Sequence, residues 1–275
     1  MSNPHETYYA NYGDLGVAEY VQRHIRESAG EMQRMRRTVE LVPAGVASLL
    51  DVGAGHGVFL EELRSARGIA GTGIEVTPAK VDYGRARGLD MRLGNAAALD
   101  FPSASFDAVL SSEVLEHLPF GVYEAALAEL ARVAREWVIV TVPHSERRRF
   151  VRCPYCAARV NPDYHMRSFT PAAMAALLPG LRLVQTLGLG ALRRSVLVDI
   201  GRQWFERWPA FLVCPCCGFK PASAARSGAP GASAAGAPAG VGGLAQTARR
   251  VARWLPARER PLWLVGVYRK EPPGA

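Results

Sequence analysis

The chain has 275 residues, is 49% hydrophobic and carries a formal net charge of +8. That length buries one full α/β core with residues to spare. No apolar run reaches the roughly 20 residues that span a bilayer, so a membrane partner is not expected. The N-terminus, MSNPHETYY, lacks the basic-then-apolar order of a signal peptide, and the expected compartment is the cytoplasm. Charge divides unevenly, with net −6 over residues 1–143 and net +14 over 144–275. A basic half is either a solvated surface or a face for an anionic partner such as a phosphorylated small molecule or a nucleic acid.

Residues 1–45 read as an N-terminal helical cap, because Val21, Ile25, Met32, Met35 and Val39 fall at helical spacing between charges. Tyr8, Tyr9 and Tyr12 lie ahead of them, placed to pack or to close over a ligand. Over 46–142 the pattern alternates strand and helix, the mark of a parallel sheet covered on both faces. Strands are expected over 47–52, 71–75, 90–93, 106–111 and 137–142, and helices near 57–66, 79–87 and 121–135. Residues 143–220 mix irregular chain, two cysteine clusters, a helix capped by Thr170, a sixth strand over 181–189 and an amphipathic helix over 191–212. Residues 221–247 are Ala, Gly, Pro and Ser with almost nothing to bury, so they read as a flexible linker. Residues 248–275 hold a short helix over 248–254 and a last strand, PLWLVGVYRK.

The stretch SLLDVGAGHGVFLEEL carries the most information. An apolar run containing Leu49, Leu50 and Val52 ends in Gly53, Gly55 and Gly57, and a helical pattern follows at once. Such a loop lets backbone approach a ligand closely, with helix N–H groups aimed at it. Glu75 closes the next strand about 20 residues on, where a carboxylate accepts both hydroxyls of a ribose. With Asp51 before the first glycine, the segment resembles motif I of the class I S-adenosylmethionine-dependent methyltransferases, type 11-like. The resemblance covers most of 46–190 together with 261–270. It implies a Rossmann-like α/β fold with a mostly parallel seven-stranded sheet and an antiparallel last strand. It assigns cofactor binding to Asp51, Gly53, Gly55, Gly57 and Glu75, to Asn95 and Ala96 in LGNAAALDFP, and to Ser112 at the end of the fourth strand. Asn95 stands where the family usually has an aspartate, and its amide still offers a hydrogen bond near the adenine amino group.

The stretch SEVLEHLP follows the fourth strand and in the family faces the transferred methyl group. On a helical turn Glu113, Glu116 and His117 would share one face. Two carboxylates and an imidazole suit a divalent metal, or a base with an orienting partner. The pattern looks like one in ubiquinone-biosynthesis O-methyltransferases and small-RNA 2′-O-methyltransferases that holds Mg²⁺ with a distant histidine, here His165. Metal binding, metal-free action of His117 or His165 near the acceptor, and a purely structural role all stay open.

All five cysteines fall in CPYC and CPCCG. Two such knuckles resemble the halves of a zinc ribbon or treble clef, which implies a structural Zn²⁺ held by Cys153, Cys156, Cys214 and Cys217, with Cys216 spare. The knuckles lie on insertions after strands five and six, both expected to end at the cofactor face, so a metal joining them would clamp a lid over the substrate side. No aromatic-basic segment of a recognisable nucleic-acid-binding type stands out. The expected activity is O-methylation of a small-molecule acceptor, with an anionic sugar or secondary metabolite suited to the basic half. Alternatives are an RNA methyltransferase gripping phosphates with the lid, and a non-catalytic cofactor-binding scaffold. Oligomeric state is not legible.

Overall fold

The computed structural model describes residues 21–194, 208–209, 212–219 and 258–271. The tyrosines at 8, 9 and 12, the linker over 221–247 and the short helix over 248–254 lie outside them. In chain order the elements are a π-helical turn Val21–Arg26, α1 (Ala29–Glu40), β1 (Leu49–Val52), α2 (Val58–Arg67), β2 (Thr72–Glu75), α3 (Pro78–Ala86), β3 (Asp90–Leu93) and β4 (Phe106–Ser112). A 3-10 turn Leu115–His117 follows, then α4 (Val122–Val133), β5 (Ala134–Pro143), β6 (Val151–Arg152), β7 (Arg159–Val160), α5 (Pro171–Ala175), β8 (Leu181–Leu189), β9 (Leu192–Arg194), β10 (Arg258–Arg260) and β11 (Trp263–Lys270).

The chain divides into two compact units. One comprises 1–147, 165–190 and 261–275, and the other 148–164 and 191–260. The first is built on a seven-stranded sheet of order β3-β2-β1-β4-β5-β11-β8. Strands β1 to β5 pair parallel, and β11 runs antiparallel between β5 and β8. This is the expected sheet, including its reversed last strand.

Apolar side chains alternate between two layers. Leu49, Phe59, Leu63 and Val265 fill one core cluster. Leu50, Val109, Leu130 and Tyr268 fill the other. Both members of the pair Leu49 and Leu50 are buried because helices cover both faces, as in a doubly wound sheet. Each fully buried leucine contributes about 1.5–3 kcal/mol relative to exposure. The Ser28 side chain caps α1 by accepting from the Glu31 N–H. Pro78 sits in the first turn of α3, where its missing N–H is no loss.

Two departures from expectation have a cause in strand pairing. The fourth helix stops at Val133 rather than 135, because Ala134 is fully buried and pairs with Phe106 at the start of β5. Sheet pairing outweighs the local helical pattern there. Residues 192–194, expected to open an amphipathic helix, instead form β9 and pair antiparallel with β10. The rest of that expected helix, 195–207, lies outside the described residues.

Within the second unit, the β6–β7 hairpin carries the first cysteine knuckle. The two knuckles share one hydrogen-bond pattern. Cys153 N–H donates to the Ala158 carbonyl at 2.8 Å and receives Ala157 N–H on its own carbonyl at 3.0 Å. Cys214 N–H donates to the Phe219 carbonyl at 2.9 Å and receives Gly218 N–H at 2.8 Å. Both loops turn through a left-handed residue, Ala157 or Gly218.

Candidate active site

The site grows from the C-terminal edge of β1, where β2 and β4 flank it and the sheet order reverses. After Val52 the chain turns through Gly53 at φ +81 and Gly55 at φ +54. Gly53 and Ala54 N–H both donate to the Ile74 carbonyl, at 2.8 and 2.9 Å, which ties the loop to β2. Glu75 then pins it. Its Oε2 accepts from Gly55 N–H at 3.0 Å, and its Oε1 accepts from Val76 and Thr77 N–H.

Around this loop lies a cavity of about 620 Å³. Its wall includes Asp51, Gly53, Gly55 and Glu75 on one side and Asn95, Ala96 and Ser112 on another. Seven of the eight residues assigned to the cofactor therefore meet at one cavity. Gly57 is the exception. It precedes α2 at φ +77, and a Cβ there would lie 2.4 Å from Leu89 Cδ1, so its glycine serves packing. At Gly55 a Cβ would meet nothing within 4 Å, and the open space belongs to the cavity.

Asp51 is buried, and its Oδ1 has no hydrogen-bond partner. Burial, with the Glu75 charge adding, lifts its carboxyl from 3.8 to about 7, while Arg34 opposes. An orphaned carboxylate oxygen on a cavity wall fits a ligand that brings a cation or a donor. His56, in the loop between the glycines, is held neutral, because burial and then Lys80 pull it down to about 4.

Arg34, on α1, also lines this cavity, and the sequence reading missed it. Its guanidinium donates to Ser112 Oγ at 2.5 Å and Glu31 Oε2 at 2.6 Å, and lies over the Trp263 ring. Its Nε is buried without a partner. Burial works against this charge, but Glu113 and Glu31 hold its pKa above the ordinary value. A lone arginine among the charges of an amphipathic helix carries no signal in sequence. Only its burial singles it out.

The expected helical face of Glu113, Glu116 and His117 is not formed. Glu113 follows β4 in the left-handed region at φ +57, and the 3-10 turn begins only at Leu115. Glu113 lines the cavity and accepts from Trp263 Nε1 at 2.9 Å. Burial, against Arg34, raises its carboxyl to about 7. Glu116 is fully buried, neither of its carboxylate oxygens has a hydrogen-bond partner, and burial beside Glu113 drives its pKa well above the usual range.

His117 lines the cavity, and His165 stands edge-on behind it with ring centroids 4.7 Å apart. One ligand atom from each of Glu116, His117 and His165 lies within 4.8 Å of the others, and Glu113 is not in this group. Magnesium asks for near-octahedral oxygen ligands. Two imidazoles and one carboxylate do not supply them, so the Mg²⁺ implied by the resemblance does not fit and no step runs through it.

In the second unit one sulfur from each of Cys153, Cys156, Cys214 and Cys217 lies within 4.8 Å of the others. The Cys153–Cys217 and Cys156–Cys214 separations are 3.8 and 3.6 Å. Tetrahedral thiolates at about 2.3 Å from a metal stand about 3.8 Å apart, so the spacing fits. Burial pushes the Cys214 thiol up to about 12. Against burial, the Cys156 and Tyr155 N–H groups draw Cys153 down to about 7. Cys216 is exposed and outside the group.

Comparison with known proteins agrees with this fold. Residues 50–140 match the family described as a methyltransferase domain. Over 142 residues the chain is 32% identical to the ubiquinone biosynthesis O-methyltransferase of Paramagnetospirillum magneticum, covering 45% of this chain. It spans about half, 54%, of that curated relative's length. Among solved structures, a SAM-dependent methyltransferase from Archaeoglobus fulgidus aligns with TM-score 0.55 at 15% identity, over 94% of this chain and all of its own. The 1,6-didemethyltoxoflavin-N1-methyltransferase of Burkholderia thailandensis aligns with TM-score 0.53 at 18% identity, over 99% of this chain and 92% of its own. The fold is the α/β fold of these two methyltransferase structures, and the match to the methyltransferase-domain family runs from β1 into β5. Among the described residues, no helix is long and apolar enough to cross a membrane.

Proposed function

We propose that this protein transfers the methyl group of S-adenosylmethionine to a hydroxyl of a small, anionic acceptor. One observation carries the reading. Asp51, Glu75 and five further residues assigned to the cofactor share a cavity with Glu113 and His117, two groups able to accept a proton there. When bound, the cofactor supplies a methyl group already activated on a sulfonium.

The chain's own task is to hold that group in line with an acceptor and take the acceptor's proton. Glu75 receives the ribose hydroxyls, Asn95 and Ala96 flank the adenine, and Asp51 places its negative charge beside the cationic end. Arg34 offers its guanidinium to a carboxylate. His117 takes the acceptor's proton, and Glu113, its carboxyl raised to about 7, lines the same cavity. Glu116, sealed from the cavity, supports the turn that carries His117.

In the second unit, Zn²⁺ held by Cys153, Cys156, Cys214 and Cys217 would cross-link two segments far apart in sequence. A closed four-thiolate site serves folding and leaves no coordination position for catalysis.

An RNA acceptor is the second reading, favoured by the β6–β7 hairpin. Arg149, Arg152 and Arg159 are exposed there beside Phe150 and Tyr155, which are 42% and 80% exposed. Arg152 and Arg159 are cross-strand partners, a like-charge pairing that a phosphate would relieve. Arginines with exposed rings are the equipment for gripping and stacking single-stranded RNA, and this surface was not apparent in the sequence.

Label transfer from radiolabelled S-adenosylmethionine into fractionated host extract decides between them. Label in small molecules supports the first reading, and label in RNA replaces it with the second. Failure to bind the cofactor at all would leave a scaffold that kept the fold.

A further inference from the structure

We propose that Glu146 is a positioning residue for acceptor deprotonation, acting on His117 through His165. The proposal rests on the methyl-transfer reading above. Glu146 follows β5, and His165 lies in the segment that leads into α5. Backbone contacts fix both. Ser145 N–H donates to the Phe169 carbonyl at 2.6 Å, and Met166 N–H donates to the Glu116 carbonyl at 2.7 Å. The residue before Glu146 is thus tied to the His165 segment, and the residue after His165 to the turn that carries His117.

Glu146 Oε2 meets His165 Nδ1 in a direct contact. A carboxylate only accepts, so Nδ1 carries the ring proton and Nε2 is left as the basic nitrogen. The orientation of this ring matters because His117 packs against it, the two planes 72° apart. His117 is on the cavity wall, and His165 is the layer behind. The result is a carboxylate–imidazole–imidazole series running from Glu146 to the cavity.

Methylation of a hydroxyl needs such a sink. The acceptor O–H bond breaks and an O–CH₃ bond forms. The S–CH₃ bond breaks with its electron pair staying on sulfur, and one proton is released. His117 receives that proton. The positive charge so formed sits beside the His165 ring, whose Nδ1–H is held by Glu146. Glu116 Oε1 stands 3.9 Å from His117 Nε2, but full burial, with Glu113 adding, favours its neutral, protonated form, so the lasting negative charge of the series is that of Glu146.

The test is NMR of isotopically labelled histidine in the full chain with S-adenosylhomocysteine added, together with turnover on the acceptor fraction. The wild type is expected to show His165 as the Nδ1–H tautomer. In Glu146→Ala that preference is lost, while Glu146→Gln, whose amide oxygen still accepts, restores it. Turnover in Glu146→Ala should fall about 10- to 100-fold with acceptor KM and cofactor affinity within about twofold, the scale of losing an outer carboxylate partner or part of a general base. An unchanged His165 tautomer in Glu146→Ala overturns the proposal, as does a turnover loss matched by an equal loss of cofactor affinity. If no cofactor binds to the wild type, the methyl-transfer reading fails instead. The tautomer comparison remains readable in that case and still judges the Glu146–His165 contact.

Discussion

Replacing Asp51 with asparagine should stabilise the cofactor-free protein and cost it the cofactor. Burial and Glu75 raise this carboxyl from 3.8 to about 7. Three pKa units are about 4 kcal/mol. Because the folded state holds the proton more tightly than the unfolded chain, stability falls as pH climbs from about 4 to about 7 and the loss is complete above that. Asparagine carries no such penalty. The difference in unfolding free energy between Asp51→Asn and wild type should therefore grow by about 2–3 kcal/mol between pH 5 and pH 8, with most of the rise below pH 7. Comparing the two proteins removes the parallel contributions of Glu113 and Glu116. Urea titrations followed by tryptophan fluorescence measure it. The same carboxylate must be ionised to meet the cationic end of the cofactor. Wild-type affinity for S-adenosylmethionine should tighten by up to about tenfold per pH unit between 5 and 7, and Asp51→Asn should bind weakly with no such slope. A stability difference that is flat with pH would refute the buried, unpartnered state assigned to Asp51.

The two glycines that flank His56 should separate binding from folding. Gly57→Ala forces a Cβ to 2.4 Å from Leu89 at φ +77 and should cost about 2–5 kcal/mol in urea unfolding. Gly55→Ala meets open space and should lose only about 1–2 kcal/mol while cofactor affinity collapses in calorimetry. Native protein should contain about one zinc per chain by elemental analysis, and Cys153→Ser or strong chelation should remove it and loosen hydrogen-exchange protection in the β6–β7 hairpin. Trp263→Phe deletes the Nε1 donor to Glu113, whose carboxyl should then rise further above about 7, moving the lower half-point of the pH–rate profile upward. An unmoved profile would show that the charge of Glu113 has no bearing on methyl transfer.

The alternation of strands and helices, the glycine loop and the four cysteines were legible in sequence because each is a local pattern with a fixed spacing. Asp51, Glu75 and Asn95, assigned by resemblance, line one cavity because each stands at or just past a strand end. The acceptor side was harder to read. Glu113 looked like one member of a helical face, yet its left-handed backbone turns it toward Trp263, 150 positions away. His165 meets Glu116 and His117 through tertiary contacts such as the Met166–Glu116 backbone bond, which no spacing encodes. Arg34 and Glu146 belong to the site by tertiary placement alone. Residues 192–194 misled because an amphipathic pattern was assigned by periodicity where strand pairing with 258–260 prevailed.

The position of β11 has a consequence for how the molecule is made. This strand joins β8 to the rest of the sheet, since β8 pairs with β11 and not with β5. During synthesis β1 to β5 can assemble as they emerge, but the edge of β5 and the whole of β8 must wait for residues 263–270. At roughly 5–20 residues per second, the interval between β8 and β11 is about 4–15 seconds. Through that time the nascent chain presents an open strand edge, able to pair with another copy.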